Sequence, residues 1–203
     1  MQLALPNADQ RIADILGRVR VAFAEKGFDG ASMQDLARAA GMSVGNFYRY
    51  FPSKAAIVEK LIANDLDEMQ LEFSSAINSD RPMHTLRGLI RAHIASHNCN
   101  DDGQLWAEIN AAALRKPEIG VAANHMETVI VDYLTHIFAA ETGMPHAQAK
   151  LQFCTQAEFI VLLVKSTAMI RPQKGPQFEH LTTLIIRTID QTLDDVASAG
   201  LKG

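Results

Sequence analysis

Cysteine is scarce in this chain of 203 residues: only Cys99 and Cys154 occur, far apart and with no short-spaced partner. No stretch is apolar and charge-free enough to span a bilayer, and none reads as a secretory leader, so the reduced cytoplasm is the expected location and no membrane is expected as partner. Enzyme signatures are missing as well: there is no activated nucleophile, no Gly-rich phosphate loop and no paired-carboxylate constellation. No segment alternates convincingly as a strand. Nor is there an excess of positive charge, since the formal net charge is −4. That sign at first disfavours a nucleic-acid partner, but the distribution is uneven. Residues 1–60 carry eight Lys or Arg against six Asp or Glu, whereas the remainder carries eleven against seventeen.

What the chain does have is helical periodicity and, at its more positive end, one unusual stretch. Ile12, Ile15, Leu16, Val19, Ala22 and Phe23 recur at three- and four-residue steps, predicting a helix from about Ala8 to Lys26 that Gly27 ends. From Ser32 to Lys54 the sequence then reads as two short helices around a tight turn. Ser32 is placed to cap the first, with Asp35 at the positive end of its dipole; Gly41 suits a left-handed stop, and Ser43 offers the second cap. Phe47 and Phe51 lie four apart and are expected inside, with Phe28 and Leu36, while Asn46, Tyr48, Arg49 and Tyr50 point elsewhere. A short basic, aromatic, donor-rich helix after a tight turn is what a reader of the DNA major groove needs. Arg11, Arg18 and Arg20 are read as solvated charges.

This stretch resembles the DNA-binding signature of the TetR family of transcriptional regulators, carried by Leu36-Ala37, Ala40-Gly41-Met42-Ser43, Phe47-Tyr48-Arg49-Tyr50-Phe51 and Ser53-Lys54. The resemblance implies double-stranded operator DNA as partner, bound by Ser32, Gln34, Ser43, Val44, Gly45, Asn46, Tyr48, Arg49, Tyr50 and Lys54. Within that set Gln34, Val44, Gly45 and Asn46 match positions facing base edges, and Tyr48, Tyr50 and Lys54 match positions at phosphates. Arg49 fits either role. Val44 departs from the polar residue often found there, which shifts readout toward a thymine methyl. The fold implied is all-α with about nine helices: a helix-turn-helix DNA-binding domain over 1–52, then a larger effector-binding and dimerisation domain over 53–203.

The second part reads as six more helices. One of about six turns begins after Pro52-Ser53-Lys54, and by analogy with the family it transmits ligand binding to the DNA-binding head. Five follow Pro82. In the first of these His93 and His97 fall within the apolar face of Leu86, Leu89, Ile90 and Ile94, and three readings stay open: satisfied core histidines, a polar corner of an effector cavity, or Zn²⁺ held with Cys99 or Asp101. No second cluster stands nearby, so no metal and no cofactor are assigned. Trp106, Asn110, Met126 and Tyr133 join the two histidines as candidate lining of a largely apolar effector cavity. His125 and His136 fall off the apolar stripe of their helix and are read as solvated.

The last two helices carry the assembly. Apolar residues go nearly all round the segment from about Ala147 to Ile170, with Phe153, Ala157, Ile160 and Val164 on one side and Leu151 and Leu162 on another. Phe178, Leu181, Ile185 and Ile189 then recur along the final helix. Two such helices per chain can close a four-helix interface about a twofold axis, and the resemblance favours that homodimer over simple core filling. The function expected is a ligand-responsive repressor released from a palindromic operator by a small, largely apolar molecule. The alternatives are an effector-independent regulator or activator with the same head, and, more remotely, a helical metal-dependent enzyme using His93, His97 and Glu108.

Overall fold

A computed structural model describes residues 8–99, 102–169 and 176–200. Among them are nine helices and no strand: α1 (Ala8–Lys26), α2 (Met33–Ala39), α3 (Val44–Tyr50), α4 (Lys54–Ile77), α5 (Pro82–Cys99), α6 (Asp102–Ala113), α7 (Pro117–Thr142), α8 (His146–Met169) and α9 (Pro176–Gly200). The helix count and the long helix after Pro52 follow the periodicity. Gly27, Gly41 and Gly143, at φ of 72°, 68° and 70°, stop α1, α2 and α7 in the left-handed conformation that costs glycine least.

Packing divides the chain into two compact units, one of residues 1–65 with 104–123, the other of 66–103 with 124–203. In the first, the expected stripe of α1 is buried at Ile15, Leu16, Val19 and Phe23, and Phe28, Leu36, Phe47 and Phe51 are all enclosed. The rings pair: Phe23 stacks on Phe28 at 5.4 Å and Phe47 tilts against Phe51 at 5.1 Å. Each such phenylalanine is worth roughly 1.5–3 kcal/mol of burial, which is how a unit built on two seven-residue helices holds its shape.

The surprise in this unit is α6. Its Glu108 carboxylate accepts from the Phe28 amide at 3.2 Å, and Gln104 Nε2 donates to the Ala24 carbonyl at 2.7 Å. Arg115 and Lys116, just beyond the helix, pair with Asp29 at 2.8 and 2.9 Å. The Glu108 and Gln104 bonds satisfy backbone groups at the C-terminal end of α1, where a helix leaves carbonyls unpaired and the chain turns through Gly27. Packing therefore groups residues 104–123 with the segment 1–65, across the boundary at residue 52 that the sequence leads one to expect.

In the second unit Leu86 and Ile94 of α5, Leu134, Ile137 and Phe138 of α7, Phe153, Ala157 and Ile160 of α8 and Ile189, Leu193 and Val196 of α9 form one buried cluster. Ion pairs clamp its rim. Arg87 Nη1 reaches Asp190 at 2.8 Å and Nη2 reaches Asp194 at 2.5 Å, while Arg91 takes the other Asp190 oxygen at 2.6 Å. The Met83 amide, at the open N-terminus of α5, donates to Glu141 of α7 at 3.0 Å.

Candidate nucleic-acid interface

Helix α3 has seven residues, too few to be stable alone, so its position rests on caps and on two buried rings. Ser32 and Asp35 form a reciprocal capping box at α2: the Asp35 amide donates to Ser32 Oγ at 3.1 Å and the Ser32 amide to Asp35 Oδ2 at 3.0 Å. Lys26 donates to the same carboxylate at 2.6 Å. That ammonium, with the Ser32 bonds next in weight, holds the Asp35 carboxyl far below the ordinary carboxylate range. Gly41 then turns the chain, and Ser43 Oγ accepts from the Asn46 amide at 3.4 Å to start α3.

Because Phe47 and Phe51 are locked inward, the helical period sends Val44, Tyr48 and Tyr50 out. Tyr48 is 46% exposed, a large aromatic side chain open to solvent. Arg49, Gln34 and Ser43 are exposed beside them, and Asn46 is half-buried. A Cβ at Gly45 would meet nothing within 4 Å, so among the described residues no neighbour demands glycine there. The result is a bare backbone ringed by two tyrosines, an arginine and amide donors.

Lys54 stands differently from the others. Its ammonium donates to the carbonyls of Phe28 at 2.7 Å and Asp29 at 3.1 Å and lies over the Phe28 ring at 5.3 Å. Partial burial lowers its pKa from the usual lysine value, with Asp29 opposing that shift. Two of its three N–H donors are thus committed to the loop between α1 and α2, a role that its position in the sequence did not reveal.

The candidate effector residues do not come together in one unit. Trp106 and Asn110 belong to the first, and His93, Met126 and Tyr133 to the second. The Asn110 amide donates to the Trp106 carbonyl at 2.8 Å, and Tyr133 stacks on Phe73 at 5.1 Å. His93 is half-buried, and the side chain of His97 lies outside the described residues. Glu108, the carboxylate of the enzyme alternative, is occupied at the Phe28 amide.

The interface set also separates. Phe153, Ala157, Ile160, Ile185 and Ile189 face the core of the second unit, and Val164 packs partly against it. Leu181 remains on the outside, and the Phe178 side chain lies outside the described residues. The outward apolar residues of this pair are instead Leu151, Phe159 and Leu162 on α8 and Leu181 and Leu184 on α9. The physical reason is that α8 is apolar on both sides, so its period marks two stripes without saying which one turns inward.

Residues 15–61 match the family described as bacterial regulatory proteins, tetR family. The chain is 25% identical over 121 residues to the HTH-type transcriptional regulator UidR of Escherichia coli K12, covering 59% of this chain and 60% of that protein. It is 29% identical over 85 residues to the HTH-type transcriptional repressor KstR2 of Mycobacterium tuberculosis, 41% of this chain and 42% of that one. The alignments thus span less than two thirds of these relatives. Among solved structures, Salmonella enterica GusR superposes with a TM-score of 0.71 at 22% identity, covering 97% of this chain and 100% of that one, a likeness of fold.

Proposed function

We propose that this chain, which belongs to the tetR family of bacterial regulatory proteins, is a DNA-binding transcriptional regulator that docks α3 in the major groove of operator DNA as a homodimer. The observation that carries the reading is the exposed surface of α3, where tyrosines, Arg49 and an unencumbered Gly45 face outward while Phe47 and Phe51 anchor the helix from behind. Such a surface fits a groove flanked by phosphates. Gln34, Val44, Gly45 and Asn46 are assigned to base edges, and Ser32, Ser43, Tyr48, Tyr50 and Arg49 to the backbone or its margins. Lys54 contributes through its one uncommitted donor and, more, by holding the loop before α2.

One head reads too few base pairs, so two are needed at a spacing of roughly 34–36 Å or a multiple. The outward leucines of α8 and α9 supply a face for that pairing. Release by a small, largely apolar effector that favours a different spacing completes the repressor cycle; differential affinity for the two states is what drives it. Among the described residues no helix is long and apolar enough to cross a membrane. Tyr48→Ala tests the reading: operator affinity in a gel-shift assay should fall with the far-ultraviolet helical signal unchanged, and undiminished binding would remove α3 from the interface.

A further inference from the structure

The turn between α7 and α8, closed by Gly143 and Pro145, folds His146 back onto the preceding helix. There it stacks on His136 with ring centroids 3.4 Å apart and an interplanar angle of 21°. Asp132 sits one turn below His136, and one ligand atom from each of the three lies within 4.8 Å of the others. All three side chains are 30–41% exposed, so an ion can reach them from solvent. His136 is therefore not simply solvated, as its place off the apolar stripe suggests; its partner arrives from the next helix.

We propose that Asp132, His136 and His146 form a binding site for a borderline divalent transition metal, Zn²⁺ or Co²⁺ in class, which ties the start of α8 to α7. Two imidazoles and a carboxylate, without a thiolate, suit such ions better than Cu⁺, and nitrogen ligands disfavour Mg²⁺ and Ca²⁺. The ring nitrogens that face the Asp132 carboxylate are His136 Nδ1, 3.4 Å from Oδ2, and His146 Nε2, 3.7 Å from Oδ1. His136 Nδ1 lies 2.8 Å from the Asp132 carbonyl, which can only accept. Thr135 Oγ1 gives its single proton to that carbonyl at 2.9 Å and so can only accept from His146 Nε2 at 3.1 Å. These same nitrogens thus hold bonds to α7, and ligation exchanges each of those bonds for a bond to the ion. Burial first, and the facing His136 second, lower the His146 pKa, favouring the neutral ring that binds metal. The stacked rings must splay to bring their lone pairs to one point, a side-chain movement available at a half-exposed site. Lys150 competes, since its ammonium donates to Asp132 Oδ1 at 2.5 Å.

The test uses the full chain without an affinity tag. Calorimetric titration with Zn²⁺ should give one site per chain, and Co²⁺ should develop visible d–d absorption. Asp132→Asn and His146→Gln should each weaken binding by at least about tenfold, with helical circular dichroism unchanged, whereas Lys150→Gln should tighten it by removing the competing charge. His125→Gln, on the same helix but outside the cluster, should change nothing. No stoichiometric binding, or binding equally strong in the His146→Gln protein, would overturn the site.

Discussion

If the outward face of α8 and α9 joins two subunits, Leu162→Glu combined with Leu184→Glu should dissociate them without unfolding either. Leu162 is 63% exposed and Leu184 56%. Complete burial of a leucine is worth roughly 1.5–3 kcal/mol, so covering the open part of each contributes about 1–2 kcal/mol. A twofold interface counts both positions twice, and the four leucines together supply roughly 4–8 kcal/mol. Losing even the lower figure weakens dimerisation by about a thousandfold, before the cost of desolvating four carboxylates is added. Sedimentation equilibrium gives the dissociation constant, and circular dichroism gives the fold. Ile160→Ala is the contrasting case, because Ile160 is 1% exposed inside the subunit and its truncation should cost about 2–5 kcal/mol of subunit stability. The reasoning is refuted if the double glutamate variant keeps both its helicity and an unaltered dimer, since the pairing surface would then lie elsewhere.

Two further outcomes concern the head. Lys54→Met should destabilise the chain by about 1–2 kcal/mol in denaturant unfolding, because the carbonyls of Phe28 and Asp29 lose a charged donor; a lysine serving only a phosphate would change the salt dependence of DNA binding and leave stability untouched. Asp35→Asn should lower the melting temperature near neutral pH, and the difference from the parent should shrink as pH falls below 3.8: the folded carboxyl titrates below that ordinary value, so its contribution is complete above it and is lost on acidification. A difference that persists undiminished in acid would show that the Lys26 and Ser32 bonds to this carboxylate are not its source.

The head was legible almost residue by residue, and the reason is locality. A cap at Ser32, a left-handed glycine at position 41, a second cap at Ser43 and rings four apart at Phe47 and Phe51 each act within one turn of the chain, so neighbours in sequence settle the geometry. Helix existence was legible for the same reason. What could not be read were the choices made across the fold. Lys54 carries a charge suited to phosphate, yet it is drawn to two carbonyls 25 and 26 positions away in the chain. Nothing local to Glu108 announces that it accepts from the amide of Phe28.

Two further features, the inward stripe of α8 and the partner of His136, share a cause that bears on how such proteins acquire sites. In α8 both stripes are apolar, so the periodicity is compatible with either stripe inside, and only the partner helices decide that Ile160 turns in and Leu162 out. The same rotation that sends Ile160 inward carries His146 and Lys150, four apart at the start of the helix, over Asp132. Turning α8 so that Leu151 and Leu162 entered the core would carry His146 off His136 and break up the cluster. The outward leucines and the histidine pair are thus consequences of one helix orientation. A substitution that re-packs the core side of α8 should disturb metal binding and dimerisation together, whereas one on either outer feature should disturb that feature alone.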